Sequence, residues 1–87
     1  MDSLEAMIRR VPERAQEVRR LFWHDPEFRA VCEDHRDAAQ GLAQAELKAP
    51  ASDRRRKDFE ELIGELVAEA LKMLDRERSR AVPPRQA

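Results

Sequence analysis

Residues 25–74 read DPEFRAVCEDHRDAAQGLAQAELKAPASDRRRKDFEELIGELVAEALKML, and the fold turns on how that stretch divides. Asp25-Pro26-Glu27 reads as a helix start. The Asp side chain accepts from the first free amides, the proline stands where no amide is needed, and the acid meets the positive end of the helix dipole. From there Phe28, Val31, His35, Ala38, Leu42, Ala45 and Ala49 recur in steps of three and four, with Cys32 and Ala39 widening the stripe. Gly41 costs about 1 kcal/mol against Ala inside a helix, which points to a close helix approach at that position. Lys48 suits a last turn. Pro50 then ends the helix, because proline lacks an amide and clashes with the preceding turn, so the chain turns through Pro50-Ala51-Ser52.

Ser52 or Asp53 caps a second arm whose apolar set is Phe59, Leu62, Ile63, Leu66, Val67, Ala70, Leu71, Met73 and Leu74. That stripe is wider than a coiled-coil seam, which needs only two positions in seven. The first arm offers it mostly alanine. Either the N-terminal segment covers the remainder or another copy of the chain does. Upstream, Asp2 with Glu5 has capping-box spacing, and Leu4, Met7, Ile8, Val11, Ala15, Val18, Leu21 and Phe22 continue a helical stripe across Pro12. Pro12-Glu13 fits the first turn of a helix, so residues 3–22 form one kinked helix or two short ones. From Arg76 the chain (RERSRAVPPRQA) loses its apolar stripe. The expectation is an all-α protein: a long antiparallel helical hairpin, residues 26–48 and 53–76, with an N-terminal helical segment packed on it. Residues 1–80 make a single domain and 81–87 a flexible tail.

Bulk composition narrows the function classes. The chain has 87 residues, 41% apolar and 40% charged, with 17 basic against 18 acidic side chains and a net charge of −1. A balance this even is not the basic footprint of a dedicated nucleic-acid binder. No window approaches the apolar run needed to cross a bilayer, and MDSLEAMIRR lacks the apolar centre of a secretory signal. No membrane partner is expected. Cys32 is the only cysteine, so no intrachain disulfide forms and a reducing, cytoplasmic setting is the expectation.

The stretch from Pro12 to Leu74 resembles the YdcH-like family of small bacterial proteins. Pro12-Glu13 opens in their manner, and Pro26, Phe28, Val31, His35, Ala38 and Leu42 match their order of proline, aromatic, aliphatic, histidine and two further aliphatics. Leu66, Glu69, Leu71, Lys72 and Leu74 match their closing helix. Ala39 stands where such proteins usually carry an acid, Val67 where they usually carry a lysine, and residues 1–11 are additional. The resemblance covers about two-thirds of the chain. It implies a helical hairpin without an established activity and transfers no catalytic residue.

Four features carry candidate chemistry. Cys32 and His35 are three apart on one helical face, a ligand-compatible spacing, but zinc takes about four ligands, at least three of them from protein. The pair therefore reads as a buried thiol and histidine at a helix seam, the histidine being a candidate pH-sensitive packing element. Arg54-Arg55-Arg56-Lys57 opposes the helix dipole. It is either an anion or nucleic-acid site or a solvated helix start with Arg54–Asp58, Arg56–Glu60 and Lys57–Glu61 pairs. Phe22-Trp23 reads as a plug closing the end of the hairpin, or else as an exposed docking patch. Glu60, Glu61, Glu65 and Glu69 form a solvated flank. No P-loop, GxSxG, HExxH or dinucleotide pattern occurs, and no cofactor or enzyme activity is expected. The reading is a protein–protein interaction or self-associating module, its candidate face Phe59, Leu62, Ile63, Leu66, Val67, Leu71 and Leu74. An anion or nucleic-acid binder using Arg54, Arg55, Arg56 and Lys57 is the alternative.

Overall fold

A computed structural model describes residues 2–48 and 53–81. Helix α1 spans Ser3–Arg10; after a single 3-10 turn over Pro12–Arg14 come α2, Ala15–His24, then α3, Pro26–Lys48, and α4, Asp53–Ala81. The described residues contain no strand, and the protein is all-α. The proline at position 12 settles the N-terminal segment as two helices. The Val11 amide closes α1 onto the Met7 carbonyl at 3.2 Å, and the proline then opens the 3-10 turn, where its missing amide costs nothing.

The anticipated caps form. Asp2 Oδ1 accepts from the Leu4 amide at 3.2 Å. Asp25 Oδ1 accepts from the amides of Glu27 and Phe28 at 2.9 and 3.3 Å. Arg29 fastens the α2–α3 corner from the other side: its Nε donates to the Phe22 carbonyl at 3.1 Å and its guanidinium stands 5.7 Å from the Phe22 ring centroid. The turn at Pro50-Ala51-Ser52, the Ser52 cap and the tail from residue 82 lie outside the described residues.

Helix α4 runs five residues beyond the expected end at Arg76, to Ala81. Its last turns have no apolar stripe, but Arg78 is tied to Glu17 of α2 and Arg80 lies 3.6 Å from Glu77. Cations there also face the negative end of the dipole. Charge rather than burial extends the helix.

α3 and α4 form the hairpin, α1 packs on α3 and α2, and α2 touches both arms. The molecule measures 60 × 22 × 21 Å, because α1 and α2 cover only one end of the hairpin. Their Leu4, Met7, Val11, Val18, Leu21 and Phe22 join Phe28, Cys32, Ala70, Met73 and Leu74 in one core, with Val31, Val67 and Leu71 packed against it. At the other end, among the described residues, the two arms have only each other. Ala38 and Ile63 are the last core side chains toward the tip. Gly41 answers the expected close approach: a Cβ there would sit 3.1 Å from the Phe59 ring.

Candidate functional site

The broad α4 face divides at about its midpoint. Leu74 is 1% exposed and Ile63 8%, and Val67 and Leu71 pack against the core that α1 and α2 complete. Leu74, Val67 and Leu71 belong to the chain's own interior, because the N-terminal segment supplies the apolar surface that the alanine-rich α3 lacks, while Ile63 is buried outside that cluster. Leu62 does not share that cover and is 44% exposed, between half-buried Phe59 and Leu66. Two shallow depressions meet at it. One is lined by Arg55, Asp58, Phe59 and Leu62; the other by Asp34, Asp37, Ala38, Leu62 and Leu66. An apolar ridge thus stands at the distal hairpin with acid on the α3 side and a cation toward the tip.

Arg54, Arg55, Arg56 and Lys57 are all exposed at the start of α4. Arg56 lies 3.5 Å from Glu46 across the hairpin rather than against Glu60. Both partners are about half exposed, so the pair contributes only tenths of a kcal/mol.

Cys32 and His35 lie on the α3 face that α1 covers, 0% and 2% exposed. Burial first, and the charge of Glu33 second, push the Cys32 thiol up to about 12. A thiol so far from ionising is the opposite of an activated nucleophile. Neither His35 nitrogen has a hydrogen-bond partner. Burial, and then the charge of Arg10 on α1, lower the His35 pKa from its ordinary 6.5. Among the described residues no three His, Cys, Asp or Glu side chains gather as a metal site.

This burial gives a pH prediction with a definite sign. His35 is held neutral in the fold but protonates freely once unfolded, so its contribution is fully present above pH 6.5 and is lost as pH falls below it. Urea midpoints should be level between pH 7 and 8 and decline from 6.5 toward 5, with a slope of at most about 1.4 kcal/mol per pH unit. His35→Leu should remove that decline. The bonds from Arg14 and then Arg78 hold the Glu17 carboxyl below the usual 4.5, so its contribution is present above pH 4.5 and is lost only below it. The His35 decline therefore begins at a higher pH than the Glu17 decline. An unchanged decline in His35→Leu would assign the acid sensitivity to other groups.

Two further features have no counterpart in the sequence reading. Arg14, at the 3-10 turn, donates to Glu17 at 2.8 Å and to Asp75 at 2.7 Å, while Arg78 bonds the other Glu17 oxygen. This clasp joins α2 to α4 across 61 residues of sequence, a separation at which no local spacing rule operates. Beside it lies a cleft of about 320 Å³ lined by Glu17, Arg20, Leu21, His24, Leu74, Glu77 and Arg78. Trp23 departs from the expected plug. Phe22 enters the core, but Trp23 is 66% exposed and meets the Phe22 ring edge-on at 5.0 Å. The buried face of α2 runs through Val18, Leu21 and Phe22, and Trp23, about 100° beyond Phe22 and about 200° from Leu21, falls outside it.

Comparison of the chain with protein families, with curated proteins and with solved structures finds no match in any of the three. No helix among the described residues is long and apolar enough to cross a membrane.

Proposed function

We propose that this chain is a non-enzymatic helical module that works by self-association through the distal half of its hairpin. A single observation carries the reading. Leu62 stands 44% exposed in the middle of an apolar stripe whose continuation toward Leu74 is buried by the chain's own N-terminal helices. A leucine on a helix pair that no other described residue covers is more stable against a partner than in water. The absence of an enzymatic role is supported by the one Cys–His pair, whose thiol is sealed from solvent and pushed up to about 12. The proposal includes the YdcH-like resemblance, with α1 as an added piece on a shared hairpin. Phe28, Val31, His35, Ala38 and Leu42 all lie within α3, as such a hairpin requires.

Light scattering over a concentration series tests it. The parent mass should rise toward a dimer or larger, and Leu62→Asp should hold the monomer mass with an unchanged helical circular dichroism signal. A parent that stays monomeric throughout would refute the proposal. The four exposed cations at 54–57 support the alternative, an anion or nucleic-acid binder. Its signature is affinity that falls steeply with salt and vanishes when the run is neutralised.

A further inference from the structure

We infer that the partner of the distal hairpin is a second copy of this chain, laid antiparallel on a two-fold axis that passes at Leu62. The inference rests on the self-association reading above and adds its geometry. Arg55, Leu62 and Glu69 are seven residues apart in turn, which returns nearly to the same side of a helix and places each about 10.5 Å from the next. All three are exposed. The stripe therefore runs from a cation, over an apolar ridge, to an acid, with Asp34 and Asp37 of the neighbouring arm lining the depression beside Leu62 and Leu66.

Such a sequence of charges is complementary to itself only when reversed. In a parallel pair Arg55 would meet Arg55 and Glu69 would meet Glu69. In an antiparallel pair centred on Leu62, each Arg55 comes over Glu69 of the other copy, and opposite charges fix the register. The shapes agree with the charges. Reversal about Leu62 brings Leu66 of one copy over position 58 of the other, where Arg55, Asp58, Phe59 and Leu62 line a depression. Glu69 is available for the exchange: its contact with Arg76 is 3.7 Å long and both side chains are about half exposed or more. Arg55 also interacts within its own chain, and its exposure lets the long side chain reach both ways. Asp58 and Glu65, one turn to either side of Leu62, are exposed to water. Closed two-fold pairing of this kind buries the same patch on both partners and leaves no open edge for further growth.

Cysteine cross-linking of the full chain reads the register directly. Leu62→Cys, Arg55→Cys and Glu69→Cys are prepared separately and treated with a short bismaleimide, with the parent as control because Cys32 is buried. Leu62→Cys should cross-link with itself at least about tenfold faster than Arg55→Cys or Glu69→Cys alone, since on this axis two copies of either outer position stand about 21 Å apart. An equal mixture of Arg55→Cys and Glu69→Cys should cross-link readily. Self-cross-linking of Arg55→Cys as fast as that of Leu62→Cys would establish a parallel register and overturn the inference while leaving self-association intact. A dimer by mass with no cross-link at Leu62→Cys would place the interface elsewhere and overturn it likewise. A monomeric mass with no cross-link would defeat both this inference and the reading beneath it.

Discussion

Leu74→Ala is expected to lower the unfolding free energy by about 3 kcal/mol, whereas Leu62→Ala, on the same helix and within the same sequence stripe, should leave the monomer within about 0.5 kcal/mol of the parent. The difference follows from what surrounds each side chain. Leu74 is 1% exposed within a core built from four helices, so its removal forfeits the transfer energy of the deleted carbons and leaves a cavity that rigid neighbours fill only in part. Leu62 is 44% exposed, so water already occupies much of the space that truncation would open. For a chain of this size about 3 kcal/mol is a large share of total stability, and Leu74→Ala should be partly unfolded near body temperature. Urea titration followed by circular dichroism, at concentrations low enough to hold the monomer, provides the measurement. Equal losses at the two positions would show that α1 and α2 do not complete the core at one end only.

Much of this arrangement is written in local sequence. Asp25-Pro26 marks the start of α3 because caps and prolines act within a turn of where they stand, and Gly41 signals a close approach, since a Cβ there would stand 3.1 Å from the Phe59 ring. The candidate site was legible to a lesser degree. Spacing groups Leu62 with Leu74 because both belong to one helical stripe, yet their burial depends on how far α1 and α2 reach along the hairpin, a tertiary property. Trp23 illustrates the same boundary, since its neighbour Phe22 takes the inward direction. The Arg14–Glu17–Asp75–Arg78 clasp was not legible at all. Its members are ordinary surface residues until the 3-10 turn at Pro12 sets Arg14 against α4, and the extension of α4 to Ala81 depends on that same junction.

Cys32 offers the second large effect, and it reports on α1 alone. A thiol reagent attacks the thiolate. With its pKa pushed from an ordinary 9.0 up to about 12, Cys32 supplies about a thousandfold less thiolate at pH 8 than an exposed cysteine would. At 0% exposure it is also out of reach. Native protein should therefore react at least about a thousandfold more slowly than urea-unfolded protein, through whatever opening first exposes the α3 face. That face shares one core cluster with Leu4 and Met7, and α1 has only eight residues to hold it down, too few to persist as a helix once undocked. Undocking of α1, rather than global unfolding, is thus the expected route to the thiol. Met7→Ala, which empties a fully buried position on α1, weakens the docking by about 2 kcal/mol and should speed the reaction roughly thirtyfold. Leu62→Ala should not change it. Complete labelling of the native parent within the mixing time would refute the sealed position of Cys32. Equal acceleration by Met7→Ala and Leu62→Ala would mean that the thiol is reached by opening of the whole hairpin, with α1 and the distal arms moving as one unit.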